Sequence, residues 1–231
     1  MKETNDASLY FDANWKRYQS TLAGNSLYHK EMGEALNQFL DTHVKHDFSL
    51  VDVGCGDSST MAPLLRHKKI KHYVGIDAAP NVLTLAEKQM AVVDCEKSFI
   101  CDDMCAAISD LTSKADIIFT SYAVHHLSYE RKIQFIKDCH YQLNSSGYLV
   151  MVDGVLDVNQ TRDQWLDALE HRLNATQTMT PDELQFRMQH PRADDHPESI
   201  ETFRRVASEQ GWKQFEVLVN KGIFAFMVFS K

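Results

Sequence analysis

Two glycines close to Asp52 are the first feature of the sequence that indicates a ligand-binding site. A short apolar run ends at Val53, Gly54 and Gly56 follow, and a helical pattern begins near Ser58. Glycine permits positive φ angles and lets the backbone approach a ligand closely, and the start of a helix offers unpaired N–H groups. The pair alone is a weak signal, because a tight strand-to-helix turn without a ligand has the same pattern.

Acidic side chains also follow the next two apolar runs, at the points where the predicted strands end. Asp77 stands 21 positions after Gly56, and an acid about 20 residues beyond such glycines accepts hydrogen bonds from ribose hydroxyls. In "FICDDM", either Asp102 or Asp103 could accept from an adenine amino group, and we prefer Asp103 with the Met104 N–H alongside. Each acid alone is compatible with a helix N-cap, but three successive strand tips favour a nucleoside pocket.

Two classes of nucleoside cofactor are compatible with these residues. A dinucleotide fold would place a third glycine where the sequence has Ser59, and the Asp57 carboxylate would repel a pyrophosphate. Beside a cationic ligand, in contrast, Asp52 and Asp57 are both favourable. A nicotinamide-dependent oxidoreductase is therefore the alternative, and a cationic adenosyl cofactor is the preferred hypothesis.

The elements that would position these acids alternate along the chain. Apolar runs such as "HYVGI", "ADIIFT" and "YLVMVD" are separated by helical stretches, which predicts right-handed crossovers and a parallel sheet. Two last runs, "KQFEVLVN" and "KGIFAFMVFSK", flank Asn220 and predict a hairpin. The predicted fold class is α/β, a doubly wound Rossmann-like sheet of seven strands, mostly parallel with an antiparallel C-terminal hairpin strand, plus a helical cap.

Residues 1–231 are predicted to form a single domain with two helical additions, since this length fits one α/β domain with a full core. Residues 1–45 are predicted to form an N-terminal helical cap, because apolar positions recur there at three- and four-residue steps. Residues 157–195 are polar and punctuated by Pro181 and Pro191. We interpret this second stretch as an insertion of two helices.

Composition and charge argue against several classes of partner. The net charge is −8, whereas surfaces that bind nucleic acid are usually basic, so we expect no DNA partner. No apolar run approaches the roughly 20 residues that span a bilayer, so we expect no membrane association. The five cysteines form no CxxC pair or zinc motif, which indicates a reduced, cytoplasmic protein. We also expect no metal, because the spacing of His190, Asp194, Asp195 and His196 is not diagnostic of a metal site.

Five motifs, in order, resemble those of the class I S-adenosylmethionine-dependent methyltransferases: "VDVGCGDSS", "VGIDAAP", "FICDDM", "IIFTSYAVHHL" and "LNSSGYLVMVDG". The resemblance covers about residues 48–154. Ser58 departs from the third glycine of the family's GxGxG, and "SSG" replaces a Pro-Gly-Gly type turn. The resemblance implies S-adenosyl-L-methionine as the cofactor and methyl transfer as the reaction. A non-catalytic S-adenosylmethionine-binding protein is an alternative that the motifs leave open, and the oligomeric state stays undetermined.

The resemblance also implies a role for each matching residue at the two ends of the cofactor. The residues expected at the methionine end are Asp52, Gly54, Gly56 and Ser121, with Tyr18 a candidate to close over the cofactor from the N-terminal helices. At the adenosine end, Asp77 would bind the ribose hydroxyls and Ala78 would pack near the adenine. Asp103 and Met104 would contact the adenine rim.

The catalytic candidates follow the fourth predicted strand. Methyl transfer aligns nucleophile, methyl carbon and sulfonium sulfur, and much of the rate comes from positioning two bound reactants. His125 or His126 could take a proton from a hydroxyl or ammonium acceptor, because histidine titrates near neutrality; alternatively, the rings only pack or hydrogen-bond the loop. "TSYAVHH" differs from the Asn/Asp-Pro-Pro-aromatic motif of nucleic-acid amino methyltransferases. We therefore predict a small-molecule acceptor with an O or N nucleophile.

Overall fold

The computed structural model describes residues 24–44, 46–176 and 180–231, which contain eight strands and eight α-helices. The strands are β1 Phe48–Val53, β2 Ile70–Asp77, β3 Glu96–Cys101, β4 Ala115–Ser121, β5 Leu143–Leu156, β6 Glu198–Ser199, β7 Gln214–Asn220 and β8 Phe224–Ser230. The helices are α1 His29–His43, α2 Met61–Leu65, α3 Pro80–Met90, α4 Met104–Ser109, α5 Tyr129–Gln142, α6 Arg162–Thr176, α7 Pro181–Asp194 and α8 Ile200–Glu209. A 3₁₀ helix, Val124–His126, follows β4.

The sheet has the predicted topology, and the predicted fold class is confirmed. Seven strands follow the order β3-β2-β1-β4-β5-β8-β7. The pairs from β3 to β5 are parallel, and β8 runs antiparallel to both β5 and β7. The strand order reverses between β1 and β4, and in open α/β sheets ligands bind beyond the carboxyl ends of strands at such a switch point. The sequence did not predict β6, a two-residue strand that pairs with β5.

The apolar core lies on both faces of the sheet. Leu50 on β1 and Ile117 on β4 belong to the layer under α1 and α6, whereas their neighbours Val51 and Ile118 belong to the layer under α5 and α8. Successive strand residues point to opposite faces, and a parallel sheet covered on both faces needs apolar residues on both. Asp52 shares its face with Leu50, so its side chain points towards the α1 layer.

Helices α1 and α6 cover that first face beside the switch point. Helix α1 buries Met32, Leu36, Phe39 and Leu40. Helix α6 is anchored by Trp165, which is fully buried and donates its indole N–H to the Ile223 carbonyl at 2.9 Å. Helices α6 and α7 occupy most of the stretch 157–195. Of the predicted N-terminal cap, residues 24–44 are described, and Tyr18 lies outside the described residues.

Candidate active site

A cavity of about 600 Å³, part of it open to solvent, lies at the carboxyl ends of β1 and β4. Its walls come from α1, from β1 and the turn after it, from α2, and from the ends of β4 and β5. Three of the predicted cofactor residues, Asp52, Gly54 and Ser121, line the cavity. His29 and Tyr122 line it as well, although sequence reasoning did not select them.

The turn after β1 depends on three residues with left-handed backbone. Gly54, Gly56 and Ser58 have φ angles of 70°, 54° and 56°. A Cβ added at Gly54 would lie 3.0 Å from the Ala123 Cβ, so a side chain there would crowd the loop after β4. Ser58 stands at the family's third glycine position and keeps a glycine-like conformation, while its hydroxyl lies 3.0 Å from the Tyr73 hydroxyl. The departure from GxGxG therefore preserves the shape of the turn.

Asp52 places a buried carboxyl group at the cavity wall. The side chain is 3% exposed and accepts a hydrogen bond from the Tyr73 hydroxyl at 2.8 Å. Burial and the neighbouring charge of Asp77, opposed by the Tyr73 hydrogen bond, together raise the pKa of Asp52 to about 7. A cation bound beside this group would favour its ionised form. The site is therefore suited to an ammonium or sulfonium group.

Asp77 links the two turns that face the cleft. Its Oδ2 accepts from the Gly56 N–H at 2.9 Å, and its Oδ1 accepts from the Ala79 N–H at 2.9 Å. Each carboxylate oxygen has two lone pairs and can accept more than one hydrogen bond, which is the property that binding of ribose hydroxyls requires. The half-buried Ala78 lies between Asp77 and Ala79, just after the end of β2. Contacts of Asp77 and Ala78 with a cofactor remain predictions.

Asp103 acts as the N-cap of α4, which was the alternative interpretation of this acid. Its Oδ1 accepts from the Cys105 and Ala106 N–H groups at 3.0 and 3.2 Å. Arg131 donates to both carboxylate oxygens at 2.6 and 2.7 Å. Partial burial alone would raise the pKa of Asp103, but the Arg131 guanidinium and the backbone donors lower it below its ordinary value. The predicted adenine contact of Asp103 therefore depends on acceptor capacity that α4 and Arg131 do not use, and the contact of the Met104 N–H remains a prediction.

Among the described residues that line the cavity, neither His125 nor His126 is present. The His125 Nδ1 pairs with the Asp153 Oδ1, and the His126 Nδ1 lies 3.1 Å from the Asp195 Oδ1. Burial would lower the pKa of His125, but the carboxylates of Asp153 and Asp195 outweigh it and raise this pKa. For His126, burial is the main cause and the pKa is lowered. The chain turns at Tyr122, whose φ is 54°, and the 3₁₀ helix directs both rings towards α7. The geometry does not support either ring as a base facing the cavity.

His29, the first residue of α1, brings an imidazole to the cavity instead. Its ring centroid lies 4.5 Å from that of Tyr122, whose hydroxyl donates to the Leu27 carbonyl at 2.7 Å. Burial lowers the pKa of His29 to about 4, so the ring is neutral at physiological pH. No motif marks this histidine in "SLYHKEMGEALNQF". Only the packing of α1 across the switch point reveals its position.

Contacts with α6 hold the segment that leads into α1. The Arg172 guanidinium lies 4.1 Å from the Tyr28 ring centroid and donates to the carbonyls of Ser26 and Asn25 at 3.2 and 3.3 Å. Tyr28 has a positive φ of 62°, which sets the direction in which α1 begins. These contacts position His29 at the cavity wall.

Comparison with known proteins relates this architecture to one family. Residues 50–147 match the family model of a methyltransferase domain. The uncharacterized methyltransferase YrrT of Bacillus subtilis is 28% identical over 151 residues, which are 65% of this chain and 68% of that protein.

Two solved structures share the fold. Magnesium protoporphyrin IX methyltransferase, ChlM, from Synechocystis with bound SAH is 12% identical, has a TM-score of 0.69, and aligns over 99% of this chain and 100% of its own. The plantazolicin methyltransferase BamL, in complex with a triazolic desmethylPZN analog and SAH, is 17% identical, has a TM-score of 0.66, and aligns over 98% and 94%. At these identities the likeness concerns the fold.

The domain match over residues 50–147, the methyltransferase relatives and the shared fold support a class I S-adenosylmethionine-dependent methyltransferase. S-adenosyl-L-methionine is the cofactor of this class. Within the three described ranges, no helix is both long and apolar enough to span a membrane.

Proposed function

We propose that the protein transfers the methyl group of S-adenosylmethionine to an oxygen or nitrogen of a small-molecule acceptor by in-line displacement. The observation that carries the proposal is the buried Asp52 carboxyl group at the wall of a cavity that His29 also lines. The cofactor supplies an electrophilic methyl group on a sulfonium when bound. The residues of the chain bind the cofactor, orient the acceptor and accept the acceptor's proton.

The cofactor-binding residues fit an adenosyl sulfonium. Asp52 carries a carboxyl group whose pKa of about 7 lets a bound cation ionise it, and it would hold the methionine ammonium group. Gly54 and Gly56 keep side chains away from the turn, and the Asp77 carboxylate would accept hydrogen bonds from the ribose hydroxyls. Ser121 would contact the methionine end from β4.

The acceptor end of the cavity is assigned to His29 and Tyr122. Because burial keeps the imidazole of His29 neutral, its ring can accept a proton from the acceptor as the nucleophile attacks. A group with a pKa of about 4 is a weak base, so proton transfer has to accompany the displacement rather than precede it. His29 therefore replaces His125 and His126 as the candidate base.

Three observations support a small-molecule acceptor in the cytoplasm. Helix α1 covers the cavity, so that a volume of about 600 Å³ is bounded on several sides. The protein carries a net charge of −8, which disfavours nucleic acid. All five cysteines are free, as a reducing compartment requires. The names of the structural neighbours point to a porphyrin and to plantazolicin, which shows how widely acceptors vary on this fold.

Calorimetry and turnover test the proposal in sequence. We expect the full chain to release or absorb heat on binding S-adenosylmethionine and its demethylated product. We then expect transfer of labelled methyl groups to at least one member of a library of phenols, carboxylic acids and amines. Absence of binding by folded protein would contradict the cofactor assignment, and tight binding without transfer to any acceptor would favour the non-catalytic alternative.

A further inference from the structure

A second cluster of ionisable side chains lies between the 3₁₀ helix and the end of α7. Its centre is Asp195, the C-cap residue of α7, which is 4% exposed. The Asp195 Oδ1 lies 3.1 Å from the His126 Nδ1, 3.7 Å from the His125 Nε2 and 4.0 Å from the His190 Nε2. Three imidazole nitrogens therefore surround one buried carboxylate oxygen. We call His125, His126, His190 and Asp195 the imidazole cluster.

We propose that the imidazole cluster is a structural site for a divalent transition-metal ion such as Zn²⁺, with His125, His126 and Asp195 as ligands and His190 as the fourth candidate. Ligand atoms of the first three residues all lie within 4.8 Å of one another. Two ligands of one tetrahedral zinc ion are separated by about 3.4 Å, given bonds of about 2.0–2.1 Å. The distances of 3.1 and 3.7 Å from the Asp195 oxygen lie on either side of that value.

The orientation of two imidazole rings supports a metal site. Histidines that bind metals usually donate their other ring N–H to a carboxylate or carbonyl group, which fixes the tautomer and the ring direction. The His125 Nδ1 pairs with Asp153, and the His190 Nδ1 lies 3.1 Å from the Asp194 Oδ2. In both rings the Nε2 consequently faces Asp195.

The state of the Asp195 oxygen is a further indication. Its Oδ1 is buried and makes no hydrogen bond of acceptable geometry in the structure, despite the nearby rings. A buried carboxylate oxygen without such a bond is costly. A cation within reach of this oxygen and of the imidazole nitrogens would satisfy it. Imidazole with one carboxylate is a donor set that suits Zn²⁺.

The position of the cluster gives the ion a structural role. His125 and His126 follow β4, Asp153 lies on β5, and Asp195 follows α7 as its C-cap. The backbone confirms this proximity, because the His196 N–H donates to the His125 carbonyl at 2.7 Å. An ion here would tie the 157–195 stretch to the loop after β4, which also carries Tyr122 into the cavity. The spacing of His190, Asp194, Asp195 and His196 in the sequence does not predict this site, because the cluster also needs His125 and His126 from a distant segment.

Metal binding by the full chain tests the site without any activity measurement. Protein stripped with a chelator is titrated with Zn²⁺ in competition with a chromophoric chelator, and with Co²⁺ while visible absorption is recorded. We expect one equivalent of Zn²⁺ per chain and the intense visible bands of tetrahedral Co²⁺. The Co²⁺ result on the unmodified protein does not depend on any variant folding correctly.

Variants locate the ion. Asp195→Asn and His126→Gln should each lower Zn²⁺ affinity at least tenfold, a loss of the size reported even for outer-shell partners. His67→Gln, which changes an exposed histidine outside the cluster, should leave affinity unchanged. A hydrogen-bonded cluster without a metal would give neither stoichiometric Zn²⁺ nor tetrahedral Co²⁺ bands and would overturn the proposal. Unchanged affinity in both cluster variants, with circular dichroism showing native fold, would place the ion elsewhere and overturn it as well.

Discussion

The cavity and the imidazole cluster each adjoin a buried acid on a central strand, but the two acids have different surroundings. Asp52 on β1 receives one hydrogen bond, from Tyr73, and faces a cavity. Asp153 on β5 pairs with the His125 ring and accepts the Gly154 N–H at 2.8 Å. One region thus leaves a carboxyl group available to a cationic ligand, whereas the other surrounds its acids with imidazoles. The comparison shows that the side chains packed against a buried strand acid decide whether it is available to a ligand.

The pKa values of the buried acids in the two regions shift in opposite directions. Burial is the main cause that raises the pKa of Asp52 to about 7, although the Tyr73 hydrogen bond opposes it. In the imidazole cluster, burial opposes the change, yet the rings of His125 and His126 hold the pKa of Asp195 well below its ordinary value. A cation brought to Asp52 would therefore release a proton from part of the population, whereas Asp195 is already ionised.

The largest expected effect is on the rate of methyl transfer, which should depend on the cavity and its His29. His29→Asn should lower the rate of methyl transfer by about 10²–10⁴-fold, the usual contribution of a positioned base, while cofactor affinity changes little. His67→Gln serves as the control. Because the pKa of His29 is about 4, its ring stays neutral between pH 6 and 8 and should add no pH dependence to the rate there. A rate of methyl transfer in His29→Asn equal to that of the parent protein would contradict the role of His29 as the base.

Asp195→Ala should destabilise the fold by about 3–5 kcal/mol, because it removes one partner from a buried charged cluster. Urea unfolding monitored by circular dichroism measures this change. Asp167→Ala, at an exposed position of α6, is the matched control and should stay within about 0.5 kcal/mol of the parent protein. A loss below 1 kcal/mol for Asp195→Ala would mean that the imidazole cluster contributes little to stability.

Asp52→Asn should weaken cofactor binding by about 1.5–3 kcal/mol, the range for hydrogen bonds to charged groups. It should also change the pH dependence of stability. The native state holds the Asp52 proton up to pH about 7, whereas the unfolded chain releases it near its ordinary pKa, so this group lowers stability as pH rises from about 4 to 7. Asp52→Asn should lose that decline, and urea unfolding at pH 5 and 8 measures it. An identical decline in both proteins would show that Asp52 titrates normally.

The smallest expected effect concerns the turn that shapes the cavity. Ser58→Gly should change stability by less than about 1 kcal/mol, because relief of the left-handed backbone offsets the lost contact with Tyr73. Ser58→Ala should cost about 1–2 kcal/mol, because it loses the hydroxyl and keeps the unfavourable φ. Thermal unfolding ranks the two variants. Equal stability of Ala and Gly at this position would contradict the importance of the positive φ.

The sequence predicted the sheet and the place of Asp52, Gly54 and Ser121 at its carboxyl edge, because both depend on local pattern. The strand and helix periodicities indicated the crossovers, and Asp52, Gly54 and Asp77 stand at strand ends, where parallel topology brings them to one edge. Strand β6 escaped prediction because two residues carry no periodicity. Asp103 shows the limit of this reasoning, since a strand-end acid and a helix N-cap have the same local sequence.

The sequence by itself determined which residues stand at the carboxyl edge of the sheet, since alternation of strands and helices places them there whatever the rest of the chain does. Only the tertiary structure decided which imidazole meets the cavity. His125 and His126 turn away because Tyr122 adopts a positive φ and α7 offers Asp195, 70 positions after His125 along the chain. His29 enters because α6 anchors the start of α1, through Arg172 contacts that span 146 and 147 positions. Side-chain direction at such points follows from packing between distant segments, which no local pattern records.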